Sequence, residues 1–175
     1  MSTYSKLLQA QVRNEFTASQ QYVALAVWFD DQDLPRLASH FYRQALEERN
    51  HAMMIVHYLL DMDIRPQIPG VDDVRNEFGN VLEPLELALE QEVTVTKQVE
   101  TLAKTARDEG DYVGEQFMQW FLREQVEEVA AMKTLLNVAR RAGDNLFHLE
   151  DFMAREKVGD AGADQTAPPA AGGAV

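Results

Sequence analysis

There is no cysteine among the 175 residues, which excludes disulfides, thiolate metal sites and any rubredoxin-like iron centre carried on this chain. A metal held here must be held by histidine and carboxylate. Basic residues are also scarce: 16 Lys and Arg stand against 29 Asp and Glu, a net charge of -13. A sequence-independent grip on nucleic acid or anionic lipid is therefore unfavourable, and cations are the favoured partners. No segment approaches the roughly 18 consecutive apolar residues of a membrane span. The N-terminus, MSTYSKLLQAQVRNEF, has no apolar stretch long enough for a signal peptide. The expectation is a cytoplasmic protein with no nucleic-acid and no membrane partner.

What the chain does have is helical periodicity, divided by its few breakers. With 46% hydrophobic against 26% charged residues, it can bury one sizeable core. A first helix is expected from about Ser5 to Asp31, broken near DQDLP, and a second from about Pro35, which suits a first turn, to Met62. The segment DIRPQIPGVDDVRNEFGN then carries Pro66, Pro69, Gly70 and Gly79, too many breakers for a helix. A third helix is expected over about Glu83 to Asp108 and a fourth over about Asp111 to Ala142, with Gly110 between them. Gly143 suits the position after a helix end, and Asp144 or Asn145 caps a short fifth helix with Leu146, Leu149 and Met153 on one face. Residues 157–175 are Ala/Gly/Pro-rich and read as a disordered tail following a domain of residues 1–156.

Tight turns make two antiparallel hairpins. The linker between them reaches ~65 Å when extended, enough to run the length of a helix of ~42 Å. Such a crossover makes the second and third helices parallel. The predicted fold is all-α: a four-helix bundle of two hairpins and one long crossover, plus a short fifth helix.

Laid out at alternating spacings of three and four, each long helix shows a buried stripe. The stripes read Leu8, Val12, Glu15, Ser19, Tyr22, Ala26, Phe29; then Leu34, Phe41, Glu48, Ala52, Ile55, Leu59, Met62, with His51 beside Glu48. The third and fourth read Leu85, Leu89, Glu92, Thr96, Val99, Ala103, Ala106 and Met118, Phe121, Gln125, Glu128, Met132, Leu135, Ala139. A carboxylate interrupts every one. The heights agree, because 48 − 15 and 125 − 92 both equal 33, so Gln125-x-x-Glu128 takes in the second hairpin the place of Glu48-x-x-His51 in the first.

Carboxylates crowded in a core repel and are driven to protonate, and these stripes contain no Lys or Arg to pair with them. Bound cations resolve both problems. Glu48 is placed to bridge two ions, Glu15 and His51 to complete one and Glu92 and Glu128 the other, with Gln125 a weak ligand or a hydrogen-bond donor. Oxygen-rich ligation with one imidazole suits iron(II) or manganese better than structural zinc. Trp28, Trp120 and the methionines read as core packing.

The motifs NEFTASQQY, ALEERNHA, the Glu92 of LEQEVT, and FLREQVEEV together resemble the ferritins, specifically non-haem bacterial ferritins of the actinobacterial type, over residues 5 to 156. The resemblance implies an iron-storage protein and a ferroxidase centre holding two iron ions per subunit at Glu15, Glu48, His51, Glu92, Gln125 and Glu128, with Tyr22 hydrogen-bonded beside it. It implies a third iron site at Glu47, Glu124 and Glu127. It also implies a shell of twenty-four subunits, Fe2+ and O2 or H2O2 as substrates, and access pores to which Asp111 and Glu115 are candidates. Bacterioferritins repeat Glu-x-x-His on the fourth helix and carry a haem-ligating Met directly after the second-helix Glu; here those places hold Gln125-x-x-Glu128 and Arg49, so no haem of that kind is expected. Two further rivals are a rubrerythrin-like oxidoreductase, whose usual cysteine domain is missing, and a DNA-protecting mini-ferritin, which lacks the fifth helix.

Overall fold

The computed structural model describes residues 1–156, 158–159 and 164–175. Its elements are α1 (Thr3–Asp31), α2 (Pro35–Asp61), α3 (Leu82–Asp108), α4 (Tyr112–Ala142) and α5 (Leu146–Arg155). All five expected helices are present, with ends shifted by no more than two residues, and the described residues contain no strand. α1 packs on α2 and α3 on α4 as two hairpins, α1 also packs on α3, and α5 closes one end against α2 and α4.

The two hairpin turns are built alike. In the first, the Leu34 N–H reaches back to the Phe29 carbonyl (3.0 Å) and the Asp33 N–H to the Asp30 carbonyl (3.1 Å). In the second, the Asp111 N–H reaches Ala106 (2.9 Å) and the Gly110 N–H reaches Arg107 (3.0 Å). Both turns need a left-handed residue, supplied by Asp33 (φ 58) and Gly110 (φ 75); Asp tolerates that region better than most residues and Gly occupies it freely. Because the turns match, residues equally far from them on the two hairpins lie at the same height.

The linker runs along α1 and is fastened by two amide clamps. Gln9 donates to the Gln67 carbonyl (2.5 Å) and accepts from the Gln67 N–H (2.8 Å); Gln21 does the same with Arg75 (2.8 and 2.9 Å). Between them the Asp72 N–H donates to Thr17 Oγ1 (3.1 Å) and Arg13 pairs with Asp72. Linker residues 67, 72 and 75 thus climb past α1 residues 9, 17 and 21, which carries the chain the length of the bundle. α2 and α3 therefore run parallel, as the linker length implied.

Helix starts are capped partly from a distance. Leu34, before α2, has no side-chain capping bond. Glu150 of α5 supplies it, accepting from the Arg36 N–H (2.9 Å) and the Leu37 N–H (3.0 Å). A carboxylate there also meets the positive end of the helix dipole. Removing it as Glu150→Ala is expected to cost about 1 kcal/mol, read as a lower denaturant midpoint with iron oxidation unchanged.

The core is divided in two. One cluster gathers Tyr22, Leu25, Phe29, Phe41, Met132 and Leu149 at the α5 end, the other Leu8, Val12, Ile55, Val99, Met118 and Phe121 at the opposite end. The polar stripe residues lie between them. Of the stripe positions, Met62 is exposed, and Ser19, Leu89 and Thr96 are partly so; the rest are buried.

Residues 164–175 form no helix or strand, yet they lie against the bundle. Ala167, Ala170 and Ala171 pack on the second cluster, the Ala171 N–H donates to the Met53 carbonyl (3.1 Å), and Val175 exchanges two backbone hydrogen bonds with the Asn50 amide (3.1 Å each). The expectation of a disordered tail also covers Lys157 and residues 160–163, which lie outside the described residues.

Candidate metal centre

Between the two apolar clusters α1 supplies Glu15, α2 Glu48 and His51, α3 Glu92, and α4 Gln125 and Glu128, all at most 3% exposed. Glu15, Glu48 and His51 come together so that one ligand atom from each lies within 4.8 Å of the other two. His51 Nδ1 is 3.4 Å from Glu48 Oε2, long for a hydrogen bond and therefore weak.

Each carboxylate keeps an oxygen with no partner. Glu15 Oε2, Glu48 Oε1, Glu92 Oε2 and Glu128 Oε2 are all buried without a hydrogen bond. Leaving one buried acceptor unmatched costs about 1–3 kcal/mol, more when it is charged, and native proteins tolerate few. Four at one level, beside His51, make a donor set that could hold a cation.

The electrostatics agree. Burial first, and the Glu48 carboxylate second, push the Glu15 carboxyl well above the ordinary range. Glu48 is raised by burial and then by Glu92, and Glu128 by burial, then by Glu92 and Glu48. Glu92 rises to about 7, burial again leading, restrained by the hydrogen bond from Tyr22. Tyr22 donates its hydroxyl to Glu92 Oε1, as expected of it. Without positive charge among them these acids hold protons, and a divalent cation would displace those protons.

Gln125 accepts at its Oε1 from the Thr96 hydroxyl (2.9 Å), and its amide, lying beside Glu92, restrains that group's rise. With the oxygen taken, the amide nitrogen is the end left for Glu92. Of the two roles open to Gln125, the donor fits this arrangement.

Glu47 on α2 and Glu124 on α4 are close enough to Glu48 and Glu128 to raise their carboxyls, and Glu127 is close enough to raise that of Glu124. Glu47 is partly exposed and Glu127 fully so. The carboxyl of Glu124 is raised by partial burial, lowered by His51, and raised again by Glu127 and Asp164. The tail residue Asp164 therefore stands in this acidic group, held by the Trp120 indole N–H (2.8 Å), an addition that no helical pattern announces. Of the pore candidates, Asp111 caps α4 through the Gly114 N–H (2.8 Å) and Glu115 pairs with Arg107 (2.5 Å).

Sequence reading missed two neighbours of the centre. Trp120, taken as packing, also sets its ring edge-on to His51, centroids 5.6 Å apart. Gln11, which lies outside the stripes, is 2% exposed and donates to Glu15 Oε1 (2.8 Å). The signal available was its place one turn before Glu15 on the same face.

The family model of the ferritin-like domain matches residues 5–142. The chain is 66% identical over 172 residues to a Mycolicibacterium smegmatis protein named ferritin BfrB, covering 98% of this chain and 94% of that one. It is 65% identical over 170 residues, 97% of this chain and 93% of the other, to a Mycobacterium tuberculosis protein named ferritin BfrB in one strain and bacterioferritin BfrB in another. A bacterial non-heme ferritin of Staphylococcus aureus is 35% identical over 138 residues, 79% of this chain and 83% of that one. Among solved structures, an open-pore ferritin from the archaeon Archaeoglobus fulgidus superposes with a TM-score of 0.85 at 26% identity, covering 90% of this chain and 99% of that one.

Proposed function

The chain belongs to the ferritin family of iron-storing ferroxidases, and on that premise we propose that Glu15, Glu48, His51, Glu92 and Glu128 receive two Fe2+ ions as substrate and oxidise them. The observation that carries this reading is the set of four buried carboxylates, each with one unpartnered oxygen, at a single level of the bundle. Glu48 faces both Glu15 and Glu92, which suits it to bridge the two ions. Glu15 and His51 complete one position, Glu92 and Glu128 the other. Gln125 lies beside Glu92 with its amide donor toward it, and Tyr22 holds that carboxylate's Oε1, which leaves Oε2 for the metal.

Each Fe2+ gives one electron. Two together, with two protons taken from solvent, reduce O2 to H2O2, or H2O2 to two waters, so no one-electron oxygen radical is released. The carboxylates favour the product because negative charge stabilises Fe3+ more than Fe2+. The neighbouring Glu47, Glu124 and Glu127 form a third iron site through which oxidised iron leaves.

The assembly is a closed shell of twenty-four subunits, located in the cytoplasm, with no nucleic-acid or membrane partner; no helix among the described residues is long and apolar enough to cross a membrane. Twenty-four copies of 19.8 kDa amount to about 475 kDa. Size-exclusion chromatography at that mass, with electron-dense cores growing after aerobic Fe2+ loading, is the expected result; a dimer-sized particle that turns over iron without a core would point to an oxidoreductase that does not store it. The preparation is expected to show no haem Soret band, because Arg49 follows Glu48 and Gln125-x-x-Glu128 replaces Glu-x-x-His.

A further inference from the structure

Gln11 is hydrogen-bonded to one group of the centre, Glu15, and both ends of its amide are engaged. Its Nε2 donates to Glu15 Oε1 (2.8 Å) and to Gln98 Oε1 on α3 (3.1 Å). Its own Oε1 accepts from Asn14 Nδ2 (3.0 Å). The direction of the amide follows from its partners: its oxygen is taken by the Asn14 amide N–H, which leaves the nitrogen for Glu15 and Gln98. Asn14 and Gln98 in turn line an open groove of about 280 Å³ between α1 and α3, so the network runs from a solvated surface to the buried carboxylate, with Gln11 as its last member.

This arrangement treats the two oxygens of Glu15 differently. Oε1 is occupied and Oε2 is unpartnered. We propose that Gln11 is a positioning residue of the iron centre: by holding Oε1, and being held itself by Gln98 and Asn14, it presents Oε2 alone to the metal. Glu15 is thereby kept monodentate and pointed at His51 and Glu48 rather than rotating to offer both oxygens. The inference rests on the reading of Glu15 as a ligand and adds a residue that reading does not contain. Outer-shell partners of this kind typically change metal affinity 10- to 100-fold when removed.

The test uses the assembled metal-free protein and Co2+ alone, followed by its visible absorption bands, which report ligand number and geometry without turnover. Gln11→Met keeps the side chain's length and removes its donors. It is expected to weaken Co2+ binding about tenfold and to shift the bands, because Glu15 is free to rotate. Gln98→Met removes only the outer clamp and is expected to act in the same direction by a smaller factor; lying at the groove, it also decides the matter if Gln11→Met fails to assemble. Wild-type affinity and bands in an assembled Gln11→Met protein, or in Gln98→Met where the first does not assemble, overturn the proposal. Glu48→Gln serves as the control for the centre itself: if it binds Co2+ as the wild type does, the assignment of the centre fails and the role of Gln11 fails with it.

Discussion

Glu48→Gln is expected to abolish fast Fe2+ oxidation and, at the same time, to raise the melting temperature of the metal-free protein. The first effect follows from position. Glu48 is the carboxylate that adjoins both Glu15 and Glu92, and an amide cannot bridge two cations with negative charge. The loss should be at least on the order of the 100-fold seen when supporting groups of metal sites are removed. The second follows from what the carboxylate does when no cation is bound. A neutral amide of the same shape is buried without the proton that the carboxyl must take up on folding, and it offers N–H groups to neighbouring oxygens that have no donor. Giving one buried, unmatched acceptor a donor recovers about 1–3 kcal/mol, which for a chain of this length is a rise of several degrees. Stopped-flow absorbance reads the first effect and calorimetry the second. Oxidation at the wild-type rate would remove Glu48 from the mechanism.

Raising the pH from 6.5 to 8.5 should destabilise the metal-free protein, and a bound divalent cation should cancel the effect. The folded-state acidities of Glu15, Glu48, Glu92 and Glu128 are weaker than those of the unfolded chain. The folded protein therefore holds more protons than the unfolded one, and stability is lost as pH rises through the folded values; Glu92, at about 7, lies inside the window. Other shifted groups act elsewhere. His40, lowered to about 4 by burial, is neutral when folded and costs stability only as pH falls below its unfolded value of 6.5. Glu109 and Asp164 are lowered by hydrogen bonds, and their stabilising effect is lost only as pH falls below the ordinary carboxylate range. A cation binds the ionised carboxylates and expels their protons. Zn2+ added at pH 7 in weak buffer should acidify the solution, and at a hundred times its Kd should stabilise the fold by about 2.7 kcal/mol. A melting temperature that climbs with pH over this range would contradict the acidities assigned to the centre.

Most of this architecture was legible because its signals are periodic. A carboxylate on a stripe of Leu, Phe and Val stands out, and matching the offsets of Glu15 with Glu92 and of Glu48 with Gln125 placed them at one height before any coordinate was known. The matching turn hydrogen bonds at Asp33 and Gly110 explain why counting residues worked. What escaped was aperiodic. Glu150 capping α2 and Glu109 accepting from the Thr3 and Tyr4 N–H groups (2.8 and 3.1 Å) at the start of α1 join positions more than a hundred residues apart, with no spacing rule between them. Asp164 reaches Trp120 from a segment whose composition suggested no contacts at all. Gln11 fell between the two cases: its period was right, but an amide beside an apolar stripe looks like surface until its burial is known.

Trp120 gives the protein an optical gauge of its own occupancy. The chain has two tryptophans. Trp28 sits among Phe29 and Phe78, about 20 Å along α1 from Glu15, where a cation at the centre is remote. Trp120 lies edge-on to the His51 imidazole with its N–H tied to Asp164, so a charge arriving on that imidazole alters the field across one indole and leaves the other as a reference. Fluorescence of the unlabelled protein thus separates filling of the centre from growth of the mineral, two events that iron absorbance records together.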